Sequence, residues 1–167
     1  MIELLIATLV FVVCMLGIVP LFIIAVGNNG RSKLDTTSTE LAQSVIEQIS
    51  AVLARGGPPS IQDCGSSAPW TINTDLTPSG EVPLTIDGKA IDFTAAQVPG
   101  YSMNFFVCGD SPVKGAIYDV RWRIDKTTGT DCTNTCLITV SARPKNMGPK
   151  RFYFALPVTL KTYVGPQ

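Results

Sequence analysis

The chemistry open to this chain is bounded first by a residue type it lacks. The sequence contains no histidine, which removes the usual general base, the commonest metal ligand and every serine-histidine or cysteine-histidine nucleophile pair. No glycine-rich phosphate loop, HExxH, GxSxG or EF-hand pattern occurs, so the familiar routes to hydrolysis and phosphoryl transfer are missing as well. What remains is sulfur. Of the five cysteines, Cys14 lies within an apolar run, where a free cysteine acts as a small hydrophobe. Cys64, Cys108, Cys132 and Cys136 form an even set beyond that run, which reads as disulfides made in an oxidising compartment. Four cysteines allow three pairings; Cys64 with Cys108 and Cys132 with Cys136 is the expected one, the second link closing a loop ahead of a strand. A four-thiolate zinc site is the competing use, because Cys132-x-x-x-Cys136 supplies half of one. Cys64 and Cys108, however, form no matching close pair.

The charged clusters are weaker signals. Asp125 and Asp131 flank Thr127, Thr128 and Thr130, but the carboxylate spacing of a calcium loop is absent. Arg143, Lys145, Lys150 and Arg151 form a basic run that could meet an anionic partner. Without aromatic residues arranged along it for base stacking, a solvated loop beside a strand is the plainer reading, and nucleic acid is not expected. No catalytic residue, metal or cofactor emerges, and an enzyme is not expected.

The element that positions everything else is the first one. From Leu4 to Val26 there are 23 residues without a charge, and as a helix they span about 35 Å, enough to cross a hydrocarbon core of about 30 Å. Glu3 stands alone at the start of this run and Pro20 sits deep within it. Gly27-Asn28-Asn29-Gly30 disfavours a helix interior, while Thr37-Ser38-Thr39-Glu40 offers a capping box. Leu34, Leu41, Val45, Ile49, Val52 and Leu53 then recur at helical spacing and form one apolar stripe. The expectation is a near-continuous helix over 1–55, weakened at 27–30 and stopped by Gly56-Gly57-Pro58-Pro59.

Ile2-Glu3-Leu4-Leu5-Ile6-Ala7, with Pro20 seventeen residues beyond Glu3, resembles the N-terminal signature of type IV pilins and pseudopilins. In that family a leader ending in Gly is removed, the new terminal residue, usually Phe, is N-methylated, and the apolar helix packs into a filament core. Met1 falls at the third mature position, so the resemblance implies a leader and two mature residues upstream. It further implies other pilin or pseudopilin subunits, an inner-membrane assembly platform and a prepilin peptidase as partners. The chain would reside in the bacterial inner membrane and then in a periplasmic or extracellular filament, with Glu3 and Pro20 as assembly residues.

Residues 56–167 have the size of one soluble domain with its own core. Over 56–113, a linker rich in Ser, Thr, Gly and Pro, Val82 to Ile86 and Lys89 to Phe93 flank Asp87-Gly88, the signal of a hairpin with a type I′ turn. Tyr101 to Cys108 is a further strand. Over 114–164 the pattern is an antiparallel meander of three strands. Tyr118, Val120, Trp122 and Ile124 point to one face, and Asp119, Arg121, Arg123 and Asp125 to a face expected to be wet. Leu137 to Ala142 follows, and Phe152, Phe154, Leu156, Val158, Leu160 and Val164 share one parity, with Pro157 marking an edge strand or a bulge. The helix stripe and the apolar sheet face are two halves of one core, an α+β fold. The Tyr-x-Val-x-Trp-x-Ile strand and its successors also look like the C-terminal half of minor pilins of the modification-protein type.

Charge is segregated along the chain: nine acids and four bases over 28–113, three acids and nine bases over 114–167. Opposite faces meeting across subunit contacts are one expectation, and cancellation on the folded surface is the other. Three functions stay open: a structural, minor subunit of a type IV pilus or secretion pseudopilus; a surface binding module carried on a filament or a single-pass anchor, for adhesion or DNA uptake; and a membrane-anchored enzyme, which the missing histidine disfavours.

Overall fold

The computed structural model describes residues 2–55, 60–66, 68–74, 82–108, 115–126, 135–145 and 156–165. The element order is α1 (Ile2–Arg55), β1 (Ser60–Ile61), β2 (Trp70–Thr71), β3 (Ser102–Val107), β4 (Ala116–Lys126), β5 (Cys136–Pro144) and β6 (Val158–Val164). Two compact units divide the chain at 34/35, so the second half of α1 belongs with the globular part.

α1 runs unbroken through Gly27-Asn28-Asn29-Gly30 and through Pro20. Two glycines cost about 1 kcal/mol each relative to alanine, whereas a break would leave up to four carbonyls and four amides without helical partners at the new ends. Continuity therefore wins. The Thr37 capping box is consequently not used as one: Thr37 lies mid-helix, and the Thr39 hydroxyl donates to the Asp35 carbonyl one turn back at 2.9 Å.

In the globular unit, α1 packs on an antiparallel four-stranded sheet of order β3-β4-β5-β6. The stripe buries Leu41, Val45 and Ile49, with Ala42 completely covered between them. Opposite lie Tyr118, Val120, Trp122 and Ile124 of β4 and Cys136, Ile138, Val140 and Ala142 of β5, whose alternation places one residue of each pair on this face. Tyr118 is hydrogen-bonded to Thr37 of α1; burial pushes its phenol up, against the pull of that bond. Trp122 is fully buried and its indole Nε1–H donates to the Asn73 carbonyl at 2.9 Å.

β3, the strand expected over Tyr101 to Cys108, joins the three-stranded meander by pairing with β4 from Ser102 with Arg121 to Val107 with Ala116. Two expectations are corrected. The Asp119 to Asp125 face of β4 is not wet: Asp119 and Arg121 are both buried, because the linker crosses over them. The Asp87-Gly88 hairpin narrows to a single bridge between Leu84 and Ile91. Its turn closes with the Gly88 amide donating to the Thr85 carbonyl, and only Gly88, at φ 66°, has positive φ there. Type I′ requires positive φ at both central positions, a conformation unfavourable to Asp87 and avoided here. As Pro157 suggested, β6 is an edge strand that begins one residue after it. The Gly56 to Pro59 stop, the 127–134 loop and Phe152 and Phe154 lie outside the described residues.

The two halves of α1 carry different loads, and substitution separates them. Ile49→Ala should lower the unfolding free energy of the full chain in detergent by about 2–5 kcal/mol. Leu9→Ala, on the exposed half, should leave the denaturation midpoint of the globular unit unchanged, monitored by tryptophan fluorescence.

Candidate assembly helix and the clamped polar face

Glu3 occupies the first turn of α1 and Pro20 its interior. Between them Leu4, Leu5, Ile6, Leu9, Val10, Phe11, Val12, Val13, Leu16, Ile18 and Val19 are each more than half exposed. An uninterrupted apolar rod of this kind has no stable place in water, and the helix is long and apolar enough to cross a membrane. Pro20 lacks the amide that would bond the Leu16 carbonyl, and beside it Phe11, Val12, Met15, Leu16 and Val19 border a shallow apolar groove of about 390 Å³. Cys14 is free and exposed on the same rod.

The described cysteines of the globular unit are oxidised. Cys64 and Cys108 are joined by a disulfide, and Cys136 is disulfide-bonded as well; Cys132, its expected partner, lies outside the described residues. A four-thiolate zinc site is thereby removed.

Asp63, next to Cys64, organises the loop between β1 and β2. Its carboxylate accepts from the Gly65 and Ser66 amides at 3.1 and 2.6 Å, from Trp70 Nε1–H at 2.8 Å and from the Phe106 amide at 3.3 Å. Burial works to raise its pKa, but the bond from Trp70 and those from Ser66, Phe106 and Gly65 outweigh it and hold the carboxyl below the ordinary value.

The second face of the sheet is a clamp. Asp119 accepts two bonds from Arg121, Nε at 3.1 Å and Nη2 at 3.0 Å, and one from Gln97 at 2.8 Å. Arg143 Nη2 lies 3.5 Å from the same carboxylate. The guanidinium groups then grip the linker: Arg121 donates to the carbonyls of Asp92 and Ala95, Arg143 to that of Phe93, and Arg123 to that of Val82. The Phe93 ring lies under both Arg121 and Arg143, at 5.0 and 4.5 Å, a cation-π arrangement. Val82 and Ile91 are buried with it.

The basic run is therefore divided. Arg143 turns inward to Asp119 and Phe93, Lys145 Nζ donates to Asn104 Oδ1 at 2.8 Å, and Lys150 and Arg151 lie outside the described residues. Sequence reasoning missed Asp119, Arg121 and Asp63. The signal available for the first two was opposite charge at i and i+2 of one strand, opposite a linker whose Val82, Ile91 and Phe93 needed a surface to cover. Asp63 carried no such mark.

Two measurements probe these groups. Asp119→Leu should cost about 3–5 kcal/mol, since it strands a buried guanidinium, and Asp119→Leu with Arg121→Met should recover part of that loss. Because the Asp63 pKa is lowered on folding, its contribution is complete above the unfolded value of about 3.9 and disappears as pH falls through the folded value. Asp63→Asn should flatten the acid limb of stability as pH falls below about 4. The chain matches no protein-family model, no curated protein and no solved structure.

Proposed function

We propose that this chain is a structural, minor subunit of a type IV pilus-like filament or secretion pseudopilus, held in the bacterial inner membrane before assembly and in a periplasmic or extracellular filament afterwards. The observation that supports this reading is the division of α1. One helix is apolar and exposed over its first half, with a single carboxylate at Glu3, and packed on an antiparallel sheet over its second. A membrane anchor alone needs only the apolar length; a first-turn carboxylate would serve it through the helix dipole, whereas in a filament it also sets the register between subunits.

In hydrocarbon an unpaired carboxylate costs several kcal/mol. Glu3 therefore selects a cation, and in the register implied by the pilin resemblance that cation is the free N-terminal amine of a neighbouring subunit. Packing of the apolar halves covers what Leu4 to Val26 expose, and Glu3 fixes the axial register. The partners are other pilin or pseudopilin subunits, an inner-membrane assembly platform and a prepilin peptidase. The protein acts by assembly, not by catalysis.

Glu3→Ala should leave membrane insertion intact and lower incorporation into filaments at least about tenfold, scored by comparing membrane and sheared-filament fractions. Normal incorporation of the variant overturns the proposal.

A further inference from the structure

The hairpin over 82–93 ends in an unusual side chain. Ile86 is 110% exposed, more than any other large apolar residue among the described residues of the globular unit, and it stands on a turn held from both sides. Thr85 and Ala90 bond each other across the turn through their backbones at 2.8 Å, Gly88 closes it at 2.7 Å, and the guanidinium groups of Arg121, Arg123 and Arg143 fix the chain at either end of the hairpin. A projecting isoleucine on a rigid support loses little freedom when it is covered, which favours a contact residue. Asp87 beside it is exposed, and the Thr85 hydroxyl and the Lys89 amide hold its carboxyl below the usual range.

The opposite edge of the sheet carries a hollow. Trp70, Phe106 and Ile117 supply its apolar wall and Asn104 and Ser66 its polar rim, around about 570 Å³. Trp70 is held by Asp63, and Phe106 lies against two glycines. A Cβ at Gly115 would collide with the Phe106 ring and the Val107 carbonyl oxygen, and one at Gly65 would stand 3.0 Å from the ring. Lys145 is at the mouth: its amide donates to the Ile117 carbonyl at 2.7 Å and its exposed Nζ to Asn104.

We propose that Ile86 seats in the Trp70, Phe106 and Ile117 hollow of a second copy of this chain, with Asp87 meeting Lys145 at the rim. The two halves of the contact sit on opposite edges of one sheet, the hollow on β3 and the hairpin tip facing Lys161 of β6. A contact between unlike patches is heterologous and repeats in an open line unless its rotation closes a ring. Globular domains joined in this way add a lateral, charge-guided register to the helix-driven assembly proposed above.

The test uses the full chain in detergent micelles, where no filament is needed, with Ile86 replaced by the photoreactive p-benzoylphenylalanine. Light and heavy isotope-labelled copies are mixed, so that adducts between chains are recognised by mass. Adducts at Trp70, Phe106 or Ile117 of the other copy, in a ladder extending past the dimer, are expected. Asp87→Lys should lower their yield about fivefold, and adding Lys145→Glu should restore it. Adducts elsewhere, products that stop at the dimer, or yields indifferent to both reversals overturn the contact. Filaments that form normally despite such a result would leave the filament reading standing, and a ladder in micelles without filaments in cells would do the reverse. Retention of the Cys64–Cys108 disulfide and of the native circular dichroism shows that each variant is folded.

Discussion

The arrangement of the globular unit depends on the ion pair between Asp119 and Arg121, buried on the sheet face that does not carry α1. Two charges withdrawn from water need their remaining hydrogen-bonding groups satisfied, or the desolvation exceeds the attraction. Asp119 is satisfied by Arg121, Gln97 and Arg143, while Arg121 spends its outer nitrogen on the carbonyls of Asp92 and Ala95. The pair thus requires the linker to lie where it does, and the linker in turn gives Val82, Ile91 and Phe93 a place to be buried. Sheet, helix and linker form three layers, with β4 covered on both sides.

That layering explains why the charge segregation along the chain is only partly a surface property. Arg121, Arg123 and Arg143 belong to the basic last third, but what they hold in the linker is its backbone carbonyl groups, not its carboxylates. Guanidinium suits this role because its planar fork can serve an anion and a carbonyl at once without losing its charge. The basic side chains that remain exposed, Lys145 and Lys161 among the described residues, are those not used in this way.

Much of the fold was readable where one physical signal dominated. Twenty-three uncharged residues read as a helix long and apolar enough to cross a membrane, the Leu41, Val45 and Ile49 spacing as one face of a helix, and Tyr118 to Ile124 alternated without ambiguity. The even set of cysteines was read as oxidised from the same kind of single signal. Where signals competed, local chemistry misled. Gly27 to Gly30 and Thr37 to Glu40 look like an end and a start, yet helix cooperativity across a long element outweighs both. Asp119 and Arg121 look wet because alternation reports which residues share a face, not whether that face is covered. The cover is a segment poor in regular structure, more than twenty residues away, which periodicity does not reveal. The exposure of Ile86 was hidden for a related reason: an apolar residue in a turn resembles the end of a strand until the turn is built.

The Cys64–Cys108 disulfide has a consequence of a mechanical kind. It joins positions 44 residues apart, and the ring it closes contains β2, the hairpin, the Arg-gripped segment and β3. A pulling force applied between α1 and β4 passes through the sulfur bridge and not around the ring. The hairpin is thereby excluded from the covalent load path, and extension of the chain under tension is shorter by the contour of the bypassed residues.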